Sequence, residues 1–91
     1  MSNMEPALLT RLLPAYEKAR GEDRVRLQTA LASEDFHILE RLGHKIKGSA
    51  GTYGFEKTAG LGQRLQSAAL KHSYSECAEI VSEMESLLFK A

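Results

Sequence analysis

The spacing of the apolar residues most limits the fold. They recur at intervals of three and four along nearly the whole chain and nowhere alternate one by one. Intervals averaging about 3.6 align side chains on one stripe of an α-helix, whereas a half-buried strand needs a period of two. β-Branched residues, which favour strands, are few and scattered. An all-α fold is therefore predicted.

The first stripe is Leu9, Leu12, Leu13 and Tyr16, with Pro6 tolerated in a first turn and Ser2 or Asn3 available as caps; it predicts a short N-terminal helix. Leu27, Ala30 and Leu31 belong to a longer segment that Pro14 can open and that runs to about Ala32. Gly21 is a point where it could split, but the continuous reading is preferred. Ser33 offers a cap, and Glu34 and Asp35 first-turn carboxylates, for a helix whose stripe is Phe36, Leu39, Leu42, Ile46, Ala50 and Tyr53 and whose stop is Gly54. Thr58, Leu61, Leu65, Ala68 and Ala69 mark the next, ending near Lys71 and His72. Cys77, Ile80, Val81, Met84, Leu87 and Leu88 mark the last. Short connections favour antiparallel neighbours, so the expected architecture is an antiparallel up-and-down four-helix bundle with an additional short N-terminal helix.

A chain of 91 residues has room for one hydrophobic core, so residues 1–91 read as a single domain and two-domain enzyme architectures are excluded. Twelve Lys and Arg balance twelve Asp and Glu, which leaves no global field for gripping nucleic acid or an anionic membrane. The lone Cys77 cannot close an internal disulfide and lies on an apolar stripe, where a buried thiol is expected. With no readable signal peptide or membrane span, a reducing cytoplasm is the simplest location. No nucleotide fingerprint is present: the segment around Gly43 and Gly48-Ser49 lacks the Lys and the preceding strand of a phosphate loop. No autokinase activity and no cofactor are expected.

One face of the central helix is unusual. At about 100° per residue, His44 points roughly 140° away from the stripe containing Ile46, toward solvent. Gly48 and Gly51 follow at four and seven residues, on nearly the same face, and glycine inside a helix costs about 1 kcal/mol relative to alanine. Their effect is to strip side chains from the ground beside the imidazole, leaving room for a phosphoryl group or another protein. Lys47, three residues on, puts an ammonium on the same side. A competing reading makes His37, Glu40 and His44 metal ligands on one face. However, the spacing is neither the zincin nor the di-iron pattern, and no second ligand-bearing helix is evident, so no metal site is expected.

The run His44-Lys45-Ile46-Lys47-Gly48-Ser49-Ala50-Gly51-Thr52-Tyr53-Gly54-Phe55 closely resembles the active segment of histidine-containing phosphotransfer (HPt) domains, which follow H-x-x-K-G-[SA]-[AG]-G with a Gly-bounded turn after it. The resemblance implies a phosphorelay intermediate: His44 accepts a phosphoryl group from the aspartyl phosphate of a response-regulator receiver domain and passes it to another receiver. A hybrid sensor histidine kinase is a further candidate partner. Imidazole titrates near pH ~6.5, so its neutral form is available as a nucleophile at cellular pH. The resemblance also places on the next helix a Gln that orients the ring, which falls on Gln66. Gln66 sits on the flank of its helix, whereas Gln63 points nearly opposite the core. Arg41 and Lys45, with the bare Gly51, are the expected docking residues for the acidic pocket of a receiver. A monomer is expected. The alternatives are an adaptor that binds a receiver without transferring phosphate, and a small metal-binding bundle.

Overall fold

The computed structural model describes residues 5–88, with Leu88 described by its backbone alone. The proposed caps Ser2 and Asn3 and the side chain of Leu88 lie outside what is described. The described residues form four helices and no strand: α1 (Pro6–Ala32), α2 (Phe36–Tyr53), α3 (Glu56–Leu70) and α4 (Tyr74–Leu88). At about 1.5 Å per residue, the 27 residues of α1 account for the 40 Å long axis of the molecule, and the shorter helices leave its N-terminal end overhanging.

The separate N-terminal helix is not observed. Its residues are the start of α1, which continues through both Pro14 and Gly21. Proline removes one helical hydrogen bond, here the one to the carbonyl of Thr10, and crowds that turn. The apolar stripe nevertheless runs on across it, and the end of α2 fastens the region from outside. Tyr53 donates from its hydroxyl to the carbonyl of Leu12 (3.4 Å), and the Tyr16 ring packs on those of Tyr53 and Phe55, with centroids 4.6 and 5.2 Å away. Ser33 does not cap α2 either. It closes α1, with its hydroxyl donating back to Thr29, while Asp35 is the N-cap and accepts from the amide of Ile38 (3.1 Å).

Helices α1, α2 and α3 end alike, with the two crossed amide-to-carbonyl bonds that a left-handed residue after the last turn permits. Gly54 takes that position after α2 with φ 82°, and non-glycine residues take it after α1 (Glu34, φ 53°) and α3 (His72, φ 56°). The His72 ring is held by stacking on Phe36, with centroids 4.8 Å apart. Below these turns Leu27, Leu39, Ile46, Leu65, Cys77 and Met84 are wholly buried and form the centre of the core. Polar ties between helices lie around it: Arg24 pairs with Glu85 across α1 and α4, and Arg64 with Glu83 across α3 and α4.

Candidate functional site

Helices α2 and α3 approach most closely at Gly43 and Gly62, and this contact builds the site. A Cβ on Gly43 would lie 2.7 Å from the carbonyl oxygen of Gly62 and 2.8 Å from the amide nitrogen of Gln66. A Cβ on Gly62 would lie 2.7 Å from both the Gly43 oxygen and the Lys47 nitrogen. Only glycine allows the two backbones this separation. The sequence reading gave neither residue this packing role, because a glycine's necessity depends on what stands opposite it.

The contact draws Gln66 onto the turn of α2 that carries His44. Gln66 is half-buried and donates from Nε2 to Oε2 of Glu40 (3.1 Å), one helical turn before His44. No hydrogen bond joins Gln66 to His44 among the described residues. Gln63 is exposed. His44 is itself exposed on the outer face of α2, opposite the buried Leu39, Leu42, Ile46 and Ala50. Glu40, a member of the competing metal-ligand reading, is held by α3.

Gly48 and Gly51 belong to a different class from Gly43. A Cβ at either would meet nothing within 4 Å, so packing does not require glycine there. Gly21 and Gly60 are equally open; what distinguishes the α2 pair is the imidazole one and two turns before it. At Gly48 the carbonyl accepts from the hydroxyl of Thr52 (3.0 Å), which supports the last turn of α2 without covering the face.

The cations near His44 divide in the same way. Arg41 and Lys47 are exposed and have no hydrogen bond or ion pair among the described residues. Lys45 reaches across to α1, where its Nζ lies 3.0 Å from Oδ1 of Asp23. Asp23 is fully buried and also meets Nη2 of the buried Arg20 at 2.8 Å. Lys45 thus ties α1 to α2 while keeping 45% of its side chain exposed. Sequence reasoning missed Arg20 and Asp23, although a signal was present. Tyr16, Arg20, Asp23, Leu27 and Ala30 follow one another at alternating intervals of four and three, so the two charges occupy positions of the apolar stripe. Beside His44 a cavity of about 400 Å³ is lined by Ile38, Leu42, Arg41, Lys45 and Glu40 among others. His37, Glu40 and His44 are not gathered as a metal-binding cluster, and no group of three or more candidate ligands forms among the described residues. No helix of the described residues is long and apolar enough to cross a membrane.

Fold and site together define a class: a four-helix bundle that presents a solvent-facing histidine, His44, beside uncovered backbone. Residues 11–89 match the Hpt domain family, and the chain belongs to it. It is similar to the aerobic respiration control sensor protein ArcB of Escherichia coli K12, of Shigella flexneri and of Escherichia coli O157:H7, with 34% identity over 80 residues in each case. The aligned part is 88% of this chain but 10% of each relative, so the chain spans about a tenth of the length of these sensor proteins. No solved structure matches it.

Proposed function

We propose that the protein is a histidine phosphotransfer intermediate of a phosphorelay, with His44 as the residue that carries the phosphoryl group. The observation that carries this reading is the exposed imidazole of His44 followed, one turn on, by a glycine whose missing side chain no packing contact explains. Membership of the Hpt domain family supports it.

In the proposed step, Nε2 of neutral His44 attacks the phosphorus of a receiver's aspartyl phosphate. The N–P bond forms as the bond from phosphorus to the carboxyl oxygen breaks, and the aspartate leaves as carboxylate. The ring proton stays on Nδ1 and the positive charge of the imidazolium offsets part of the phosphoryl charge. The reverse step onto a second receiver balances in the same way. Mg²⁺ held by the receiver would screen the transferring group. Lys47, free of other partners, supplies an ammonium to the phosphoryl oxygens, and Gly48 supplies clearance for the incoming aspartate. Gln66 is the positioning residue. Anchored on Glu40 and seated by the Gly43 contact, it orients the ring of His44 directly or through that carboxylate.

Arg41 and the open backbone at Gly51 form the docking surface for the acidic pocket of a receiver; Lys45 joins it only with the half of its side chain that Asp23 leaves free. Receiver domains, with a hybrid sensor histidine kinase upstream, are the partners in this reading, and the domain acts as a cytoplasmic monomer without a nucleotide site or autokinase activity of its own. An antiparallel course of the four helices is part of the proposal. It is supported by contacts in which one residue number rises as the other falls: Lys45 with Asp23 and Tyr53 with Leu12 between α1 and α2, Glu40 with Gln66 and Lys47 with Gly62 between α2 and α3, and Arg64 with Glu83 and Lys71 with Glu76 at α3 and α4.

The test is to incubate the purified protein with phosphorylated receivers and Mg²⁺ and to follow acid-labile phosphate. Wild type takes label and His44→Ala takes none. Lys47→Met and Gln66→Ala take it more slowly at unchanged helicity. Label persisting on His44→Ala removes the histidine from the mechanism, and a wild type that binds receivers without being labelled is an adaptor.

A further inference from the structure

The cavity of about 400 Å³ beside His44 lies in the seam between α1 and α2, on the N-terminal side of the imidazole. Its apolar part is built by two residues of α2. Leu42 is buried at the base, and Ile38 lines it with 37% of its surface exposed and is not among the residues packed on the core. A lone exposed aliphatic residue is ordinary on a protein surface; one that lines a concavity opening beside the candidate nucleophile is a different case.

The rim is cationic. At about 100° per residue, Ile38, Arg41 and Lys45 fall on the flank of α2 that turns from His44 toward α1, and Arg26 of α1 joins them across the seam. Glu40 also lines the cavity, but it falls on the other side of His44, where Gln66 of α3 holds it. Asp23 is fully buried beneath Lys45, and its carboxylate is shared by Arg20 at 2.8 Å, Lys45 at 3.0 Å and Arg26 at 3.9 Å. With Arg41 added, these are four cations against two carboxylates, on a chain of zero net charge. The side chains of Arg26 and Lys45 remain 60% and 45% exposed, so their charge is felt at the opening.

We propose that this cavity is the pocket by which the protein selects its receiver, and that it takes an apolar side chain that the receiver carries next to a carboxylate. The inference rests on the phosphotransfer reading and names the part of the surface that distinguishes one receiver from another. Ile38 and Leu42 enclose the apolar group, and Arg26 and Arg41 meet the carboxylate. An apolar anchor seated in a pocket and ringed by polar groups is the usual source of affinity in an interface, and a cationic rim suits an acidic partner. The distances suit one partner. At about 1.5 Å per residue, α2 places Ile38 about 9 Å before His44 and Gly51 about 10 Å after it, so a single docked surface can cover pocket, imidazole and open glycines together. That length of ~20 Å fits within a standard interface of about 800 Å² per partner. A second copy of this chain is disfavoured as the occupant, because a two-fold contact here would set the same cationic rim against itself.

The experiment uses the full chain, labelled with ¹³C at the isoleucine δ1 methyl groups and ¹⁵N at the amides, and an unlabelled receiver whose phosphorylated form labels the wild type. Saturation with that receiver is expected to shift the Ile38 methyl and to give nuclear Overhauser contacts from it to aliphatic or aromatic protons of the receiver. Ile38→Ala should raise KM for the phosphorylated receiver about tenfold with kcat unchanged. Arg26→Gln should raise KM several-fold, and its difference from wild type should shrink at high salt. Neither residue belongs to the core, and the Ile38 amide that donates to the Asp35 cap is kept, so both variants should retain wild-type helicity. An Ile38 methyl that stays in place while the amides of Gly48 and Gly51 shift overturns the pocket and leaves the transfer reading intact, as does an unchanged KM in Ile38→Ala. Methyl shifts that follow the concentration of the protein alone assign the cavity to a second copy and overturn the proposal too. A wild type that no receiver labels removes both readings.

Discussion

Replacing Gly43 by alanine adds one methyl group at the point where α2 meets α3, and the structure fixes what that group encounters. All three of its nearest neighbours are backbone atoms: the Gly62 oxygen at 2.7 Å, the Gln66 nitrogen at 2.8 Å and the Gln66 Cα at 3.3 Å. No side chain can rotate aside, so an ordinary contact of 3.4 Å requires the helices to part by about 0.7 Å. Overpacking of this kind costs ~1–3 kcal/mol, with the upper part of that range applying to a contact that only backbone movement relieves. Alanine returns about 1 kcal/mol of helix propensity, leaving a net loss of ~1–2 kcal/mol. Gly48→Ala, five residues away on the same helix, adds the same methyl group to open space and should gain ~1 kcal/mol. A domain of this size shifts its melting temperature by about 4–8 °C per kcal/mol, so the two variants should melt roughly 10–20 °C apart, one on each side of wild type. Thermal melts followed by circular dichroism at 222 nm, with urea titrations to confirm the sign, measure the difference. If Gly43→Ala melts at or above wild type, the close approach of the helices is not what demands glycine there.

Four further outcomes follow from the same geometry. Asp23→Asn leaves the buried Arg20 facing a neutral group and should cost about 3–5 kcal/mol in urea unfolding, whereas Lys45→Met, which removes a half-exposed partner, should cost no more than ~1 kcal/mol; equal losses would contradict the burial of the pair. Glu34→Gly relieves a left-handed backbone and should raise the melting temperature by a few degrees, while His72→Gly also loses the stacking on Phe36 and should gain less. Burial pushes the Cys77 thiol up from 9.0 and the Tyr16 phenol up from 10.0, so the fold favours both neutral forms. Stability is complete below those values and declines as pH rises beyond them, and a urea midpoint that stays level to pH 10.5 would refute this. Gly21→Ala and Gly60→Ala should stabilise the protein as Gly48→Ala does but leave phosphotransfer rates unchanged, and slowing in either would show that the response is not specific to the His44 face.

Helices α2, α3 and α4 were readable from the sequence because each carries one unbroken apolar stripe, and the stop at Gly54 because glycine announces a left-handed turn. Glu34 and His72 adopt the same turn without announcing it, since only the crossed hydrogen bonds to Leu31 and Ala30, and to Ala69 and Ala68, reveal it. The N-terminal region misled because Pro14 is a local signal for a boundary, while the aromatic contacts of Tyr16 with Tyr53 and Phe55 that hold α1 together are long-range. The exposure of His44 and the openness of Gly48 followed from helical angles alone. The grip of Gln66 on Glu40, the diversion of Lys45 to Asp23 and the need for Gly43 did not, because each depends on a partner from another helix.

These long-range contacts divide α2 along its length. On one side Gly43 is imposed by α3, Lys45 is drawn toward α1, and Leu39, Leu42 and Ile46 fill the core. On the other, the side chains of Arg41, His44 and Lys47 are exposed, and the places that side chains would take at Gly48 and Gly51 stand open. Total stability for a domain is only about 5–15 kcal/mol, so two open glycines at about 1 kcal/mol each are a real disadvantage to the folded state, and the fold gives no return for them. Arg41 and Lys47, without an ion pair among the described residues of a chain of zero net charge, add nothing to stability either. A face that is costly in backbone and left open by packing, and that carries an exposed imidazole, is what the proposed phosphotransfer calls for: a partner that brings its own backbone and its own negative charge up to that ring.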